Sequence, residues 1–268
     1  MAESVQILIP ARYASTRFPG KPLAPLRGSE GAVKSLIHRS WEAAAQVSGV
    51  SACFVATDDD RIADAARAFG GEVVMTAEHC ANGTERCADA IAGAGPVPDI
   101  VVNLQGDAPL TPPWFVEDLI AAMRARPEIE VATPVLRCDR HALEGFLADR
   151  RAGRVGGTTA VFARDGRALY FSKEVIPYTG SALDTAAEIP VFHHVGVYAY
   201  RPDALRRYPD MPAGPLERWE GLEQLRFMEN GVDVHCVEVE ARGAVFWELN
   251  NPEDTPRIEA VLAERGTP

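Results

Sequence analysis

At 268 residues and with a formal net charge of −11 at pH 7, the chain is long enough to bury a substantial core and too acidic for a nucleic-acid partner, which needs a basic face. Its five cysteines are scattered without a C-x-x-C spacing, which argues against a disulfide framework or a structural zinc site and fits a cytoplasmic protein. No apolar run approaches membrane-spanning length, so we expect no membrane partner.

Apolar strands and amphipathic helices alternate along the first half of the chain. Strands are predicted at 6–10, 52–56, 72–76 and 100–104. Helical spacing runs from Val33 to Ala44 and from Ile62 to Phe69, with Thr57-Asp58 as the cap of the second helix, and a short helix begins near Thr84. The alternation predicts an α/β fold with a mostly parallel sheet and helices on both faces.

In the second half of the chain, predicted strands follow one another with few helices between them. Strands are predicted at 131–136, 158–164, 168–172 and 194–200, joined by loops rich in Gly, Arg and Asp. These strands indicate a mixed sheet with an inserted arm. A single helix is predicted over 216–230, with Gly231 as its stop, and Pro252 opens the last helix near its first turn.

The loop after the first strand, residues 11–23, is the first candidate site. It holds three cations and three small residues whose hydroxyls and backbone N–H groups can face an anion: Arg12, Arg17, Lys21, Ser15, Thr16 and Gly20. Ligands in open α/β sheets bind at the carboxyl ends of strands, so this loop predicts a triphosphate site. The alternative is a solvated basic turn.

A second candidate is the Gln105-Gly106-Asp107 turn, where a strongly apolar strand ends in a carboxylate. Mg²⁺ is usually bound by one or two carboxylates together with substrate phosphate oxygens. Because this strand and the first one present their carboxyl ends to the same crevice, Asp107 is a candidate magnesium ligand. The alternative is that Asp107 caps a helix starting at Pro112.

A third candidate is residues 82–86, a loop that leads into a helix. Its backbone groups can hold a base or ribose, and Arg86 can face phosphate. This signal is weak alone, since Asn-Gly is a common turn and Thr84 a common helix cap.

Several further segments complete a resemblance that covers nearly the whole chain. They are Val55-Ala56-Thr57-Asp58, residues 70–76, Ala168-Leu169-Tyr170-Phe171-Ser172, His194-Val195-Gly196-Val197-Tyr198 and Leu222-Glu223-Gln224-Leu225-Arg226. With the three candidate sites, they resemble the 3-deoxy-manno-octulosonate cytidylyltransferase family. The resemblance implies a GT-A-like, Rossmann-like nucleotide-diphospho-sugar transferase fold, a homodimer and Mg²⁺ as cofactor. It also implies transfer of CMP from CTP to the anomeric hydroxyl of an acidic sugar, with release of pyrophosphate.

The same resemblance assigns roles to individual positions. Nucleotide contacts fall on Ala11, Arg12, Ser15, Lys21, Asn82, Gly83, Thr84, Arg86, Gln105 and Asp107, and the residues expected to be catalytic are Arg12, Arg17, Lys21 and Asp107. The acceptor acid is expected at His194, Tyr198, Glu223 and Gln224, and the metal at Asp107 and Asn250. Residues 1–268 are expected to form one domain, with a nucleotide-binding half over 1–130 and an acceptor-binding and dimerisation half over 131–268.

The chain departs from the family at three places. Asn250 replaces the first Asp of a Val-Asp-Thr-Pro-Glu-Asp run, where that Asp is a second metal ligand. An amide oxygen still coordinates Mg²⁺ but brings no charge; alternatively, Asn250 caps the last helix. Thr159 stands where the family has a Lys near the acceptor, and Ala108 replaces a common Glu. The acceptor is therefore 3-deoxy-manno-octulosonate or another acid, such as its 8-amino analogue, another ulosonic acid or a phosphonate.

Two other functions compete with this interpretation. A nicotinamide-dependent oxidoreductase requires a G-x-G-x-x-G fingerprint, and none follows the first strand. A non-catalytic nucleotide-binding relative is the other alternative, in view of the replacements at 159 and 250. No dedicated general base is evident. His194 is a candidate, but a histidine beside an apolar strand is more often a structural residue.

Overall fold

The computed structural model describes residues 3–14, 18–155, 157–180 and 187–268. The strands there are β1 (Val5–Ala11), β2 (Pro25–Arg27), β3 (Val33–Ser35), β4 (Ala52–Thr57), β5 (Glu72–Met75), β6 (Ile100–Leu104), β7 (Val131–Arg137), β8 (Thr158–Phe162), β9 (Ala168–Ser172), β10 (Phe192–His194), β11 (Val197–Tyr200) and β12 (Val234–Val239). The helices are α1 (Leu36–Ala45), α2 (Asp60–Ala68), α3 (Gly83–Ala90), α4 (Pro113–Ala125), α5 (Arg140–Arg151), α6 (Pro202–Arg207), α7 (Pro215–Glu220), α8 (Leu225–Glu229) and α9 (Thr255–Glu264). None of these helices is long and apolar enough to cross a membrane.

A ten-stranded sheet runs through both halves in the order β5-β4-β1-β6-β11-β7-β10-β8-β9, with β12 beside β7. The first four strands in this order are parallel. β1 is buried along its whole length, with Ile7 and Ile9 in one core cluster and Leu8 in another, because the sheet is covered on both faces. The carboxyl ends of β1 and β6 are therefore neighbours, and the loops after them meet.

Antiparallel pairing dominates the rest of the sheet. β11 runs antiparallel to β6 and β7. Beyond β7 the sheet continues through β10, β8 and β9, each antiparallel to its neighbour, and ends at β9. β12 is parallel to β7. The predicted α/β class with a mixed sheet is confirmed, and its parallel pairs lie mainly on the N-terminal side.

The predicted strand at 194–200 is broken into β10 and β11 at Val195 and Gly196. Both pieces pair with β7, but on the opposite side β10 pairs with β8 while β11 pairs with β6. The sheet thus divides at Gly196, and the end of β6 and the start of β8 lie on either side of a crevice.

The helix predicted over 216–230 is in fact two helices, α7 and α8. Gly221 adopts a left-handed conformation at φ +61° and ends α7, its N–H donating to the Glu217 carbonyl over 2.7 Å. Because an isolated Gly is tolerated in a helical pattern, the sequence did not reveal this end. The turn at 221–224 carries Glu223 and Gln224 into the crevice.

Smaller differences concern element ends. Val33 lies in β3, and Ser35 caps α1 by accepting from the His38 N–H. The cap of α2 is Asp59, whose side chain accepts from the Arg61 N–H. Helix α5 and strand β12 were not predicted.

Candidate active site

Two cavities open where the strands of the N-terminal half end. The small cavity, of about 250 Å³, is lined by residues of the β1 loop, the start of α3 and the turn after β6, including Ala11, Arg12, Lys21, Gly83 and Arg86. The large cavity, of about 540 Å³, lies in the crevice and includes His194, Tyr198, Glu223, Gln224 and Asn250. Asn82, Gln105 and Asp107 line both cavities. The predicted nucleotide and acceptor residues therefore meet at Asp107.

Asp107 and Lys21 form an ion pair at this junction, with 2.5 Å between Oδ2 and Nζ. Both side chains are partly buried. Asp107 does not cap the following helix, since the N-cap of α4 is Pro112 and receives no side-chain hydrogen bond. The carboxylate is instead held at the mouth of both cavities by a cation from the other loop.

Arg12 reaches across the small cavity and donates to the Ala81 carbonyl over 3.2 Å. Its side chain is exposed, as a phosphate-binding guanidinium must be before its ligand arrives. Ser15 and Arg17 lie outside the described residues, so their roles stay predictions.

The 82–86 loop contributes to the small cavity mainly through Asn82 and Gly83. Asn82 caps α3 by accepting from the Glu85 N–H over 2.8 Å, and its Nδ2 donates to Tyr208 Oη over 3.2 Å. Thr84 is buried and lines neither cavity, since its Oγ1 lies 3.1 Å from Tyr200 Oη. The side chain of Thr84 therefore supports the loop, and a contact between Thr84 and nucleotide stays a prediction.

Arg86 lines the small cavity but already has partners. Its Nη1 donates to Thr76 Oγ1 over 2.5 Å, and its Nη2 lies 3.3 Å from Asp58 Oδ2. This nearly buried pair fixes the guanidinium in the wall. The predicted contact between Arg86 and phosphate stays a prediction.

Glu223 joins the two cavities. One carboxylate oxygen accepts from the Thr84 N–H over 3.1 Å and the other from Gln105 Nε2 over 3.2 Å. Burial raises the pKa of Glu223 above its usual value. The residue predicted to bind the acceptor thus also holds the nucleotide loop against the turn that carries Asp107.

Gln224 presents a buried donor to the large cavity. Its Oε1 accepts from Tyr198 Oη over 3.1 Å, which leaves its Nε2 without a partner among the described residues. An unpaired buried donor costs about 1–3 kcal/mol, so a ligand oxygen at this place is favoured. Gln224 and Tyr198 are therefore well placed to hold an oxygen-rich acceptor.

His194 is buried and its Nε2 lies 3.1 Å from Thr133 Oγ1. Burial, with a smaller effect from His193, lowers the pKa of His194 to about 3. An imidazole with that pKa is a very weak base, so the structure argues against His194 as the general base. It lines the large cavity as a neutral side chain.

Two charged residues in the large cavity were missed by the sequence analysis, Lys173 and Glu248. Lys173 is the cavity's one lysine or arginine among the described residues, and its ammonium has no ion-pair partner there. Its only sequence signal is its position directly after the 168–172 motif. Burial, and then the charge of Asp107, raise the pKa of Glu248 above its usual value.

The residues around Asp107 fit Mg²⁺ chemically. Asp107 and Glu248 offer carboxylate oxygens, and Asn250 an amide oxygen, which are the donors that Mg²⁺ prefers. Asn250 does not cap the last helix, because the N-cap of α9 is Asp254, and Asn251 and Asp254 form a capping box on the turn before it. Within the described residues no three His, Cys, Asp or Glu side chains are grouped to hold a metal, so phosphate oxygens are needed to complete this site.

Comparison with known proteins agrees with this geometry. Residues 6–234 match the sequence profile of the cytidylyltransferase family, and the chain belongs to that family. Within it, the chain falls among the 3-deoxy-manno-octulosonate cytidylyltransferases: the Maricaulis maris protein of that name is 44% identical over 98% of each chain.

Two further relatives bear on ligands. The 8-amino-3,8-dideoxy-manno-octulosonate cytidylyltransferase of Shewanella amazonensis is 42% identical over 96% of this chain and 97% of its own. The solved structure of CMP:2-keto-3-deoxy-manno-octonic acid synthetase complexed with CTP has a TM-score of 0.82 and 36% identity, covering 98% of this chain and 99% of that chain.

Proposed function

We propose that this enzyme transfers CMP from CTP to the anomeric hydroxyl of 3-deoxy-manno-octulosonate, releases pyrophosphate and depends on Mg²⁺. The observation that carries the proposal is the meeting of the two cavities at Asp107. The small cavity has the cations that a triphosphate needs, and the large cavity has the polar lining that suits a sugar acid. Two substrates bound in these cavities would have their reacting atoms at one carboxylate.

The reaction forms a bond from the acceptor hydroxyl oxygen to the α-phosphorus of CTP and breaks the bond to the bridging oxygen of the leaving pyrophosphate. The hydroxyl proton passes to solvent or to a nearby base. Bound at Asp107, Mg²⁺ would reduce the charge repulsion between the α-phosphate and its attacking oxygen. Arg12 and Lys21 hold the triphosphate and stabilise charge on the leaving oxygens, so that positioning and electrostatics supply most of the acceleration.

Lys173 supports an acidic acceptor. Its ammonium extends over the 221–224 turn, where a Cβ added to Gly221 would lie 2.9 Å from Nζ. A cation without an ion-pair partner among the described residues, in a cavity whose other described residues are neutral or acidic, attracts a carboxylate. We assign Lys173 to the sugar carboxylate, and the Gln224 Nε2 to a neighbouring oxygen.

The test is pyrophosphate release from CTP with a panel of acids. We expect release with 3-deoxy-manno-octulosonate; its 8-amino analogue, another ulosonic acid and a phosphonate complete the panel, because a relative of similar identity bears the 8-amino name. ATP and GTP serve as competing nucleotides and are expected to be poorer substrates. No release from CTP with any acid would leave a nucleotide-binding protein without this activity.

We also propose that the enzyme acts as a cytoplasmic homodimer. Several large apolar side chains of the second half are well exposed, among them Leu169 at 52%, Tyr178 at 96% and Trp219 at 90%. Leu169 lies on β9, the edge strand of the sheet. Sedimentation velocity is expected to show a dimer, and a monomer at all concentrations would contradict it.

A further inference from the structure

The replacement of Asp by Asn250 leaves the site short of one carboxylate relative to its family. With Asp107 paired to Lys21, a divalent cation would meet little net negative charge from these three residues. Charge on the ligands is a main determinant of affinity for hard cations. A second carboxylate close to Asp107 would restore that charge.

Glu248 is such a carboxylate. It lines the large cavity together with Asp107 and Asn250. The Leu249 N–H donates to the Asp107 carbonyl over 2.9 Å, which fastens the 248–250 segment to the Asp107 turn. Leu249 itself is buried in a core cluster, so the residues on either side of it face the cavity.

The crevice is shaped around the Glu248 side chain. A Cβ added to Gly196 would lie 2.6 Å from Glu248 Oε1 and 3.9 Å from Gln105 Cγ, which places the carboxylate beside the residue that begins the Asp107 turn. Glu248 Oε2 lies 3.5 Å from Asn250 Nδ2. The Asn250 amide nitrogen therefore faces the Glu248 carboxylate.

We propose that Glu248 supplies the second carboxylate of the metal site, in place of the Asp that Asn250 has replaced. Positions 248 and 250 are two residues apart on the same side of one segment. The second carboxylate is therefore carried by a different residue but lines the same cavity. Asn250 then orients Glu248 and contributes its amide oxygen. This inference rests on the Mg²⁺ dependence proposed above.

The test measures metal binding directly, in the protein–CTP complex without acceptor, by Mn²⁺ titration followed through water proton relaxation. Glu248→Gln is expected to weaken Mn²⁺ binding at least about tenfold. Removal of a group that only orients a metal ligand already costs about 10- to 100-fold in affinity, so loss of a ligand should cost at least the lower value. Glu253→Gln is the matched control, since Glu253 is exposed on the same segment. CTP alone with Mn²⁺ gives the background.

Restoring the carboxylate sharpens the test. Adding Asn250→Asp to Glu248→Gln returns one negative charge to the cavity and is expected to recover most of the lost affinity, whereas a purely structural defect would not be recovered. Thermal unfolding of each variant shows whether it is folded.

Unchanged Mn²⁺ binding in Glu248→Gln would overturn the inference. This holds even if turnover is lost, because Glu248 would then act on the acceptor proton and not on the metal. Pyrophosphate release by the wild type separates these outcomes from a failure of the proposed function. If the wild-type complex binds no Mn²⁺ above the CTP background, both the metal dependence and this inference are wrong.

Discussion

The two cavities are built in opposite ways. The small cavity is made by the loops after β1 and β6 and by the start of α3, and two of its three cations, Arg12 and Lys21, come from one short stretch of sequence. The large cavity is assembled from a broken strand, a turn between two short helices and the segment before α9. The proposed phosphate site thus rests on neighbouring strand ends, while the proposed acceptor and metal sites draw on segments that lie far apart in the sequence.

The strongest way to break this comparison is to remove the group that the cavities share. Asp107→Ala is expected to abolish measurable pyrophosphate release, because it removes the proposed metal ligand and leaves Lys21 without its partner. Asp118→Ala, on helix α4 and away from both cavities, is the control. Retained turnover in Asp107→Ala would overturn the metal assignment.

The next largest effect is expected within the small cavity. Lys21→Ala removes the charge that we propose stabilises the leaving pyrophosphate, and turnover should fall by about 10²-fold or more. Lys34→Ala is the control, since Lys34 pairs with Glu42 and lines neither cavity. Steady-state rates of pyrophosphate release measure both variants, and near-normal turnover in Lys21→Ala would remove its triphosphate role.

A substitution in the large cavity should change the KM for the acceptor and not the KM for CTP. Lys173→Gln is expected to raise the KM for the acceptor by roughly 10- to 100-fold, the value of a charged hydrogen bond of about 1.5–3 kcal/mol. The KM for CTP should remain close to that of the wild type. If both constants rise together, Lys173 shapes the whole site and does not specifically bind the acceptor carboxylate.

The smallest effect concerns His194. Its pKa is lowered to about 3 by burial, so between that pH and the ordinary value of 6.5 the unfolded chain binds a proton that the native protein does not. Wild-type stability should therefore fall as the pH drops through this window, to which His193, with a pKa lowered to about 4, also contributes.

His194→Gln should remove its share of that acid sensitivity while leaving the pH profile of turnover unchanged near pH 6.5. Chemical unfolding at several pH values measures the first, and rates across the same range the second. His141→Gln, at an exposed position, is the control. A shifted rate profile in His194→Gln would restore His194 as a proton-transferring group.

The N-terminal side was predicted well because its signals are local. Buried parallel strands such as β1 and β6 are continuous apolar runs, and functional groups follow at their ends. Cap positions were off by a residue or two, as with Asp59, because neighbouring Asp and Thr residues are equally good caps.

The acceptor side was predicted mainly through resemblance, and its geometry was not. The division of the sheet at Gly196 depends on pairing between distant strands, and the helix end at Gly221 was hidden because a single Gly is tolerated in a helical pattern. Glu248 was missed because its segment is irregular, so no periodicity showed that it faces Asp107. The cap of α3 is Asn82 and not Thr84, which the sequence did not distinguish because both residue types are good helix caps.

Because Glu223 contacts parts of both cavities, we expect it to couple the binding of the two proposed substrates. Its carboxylate spans the Thr84 N–H and Gln105 Nε2, so the 221–224 turn touches the walls of both cavities. A ligand in one cavity that shifts this turn would change the affinity of the other cavity for its own ligand. The second ligand must then change the affinity for the first by the same factor. Binding of CTP and binding of the sugar acid would not then be independent events, and dissociation constants measured with one substrate absent would differ from those of the ternary complex.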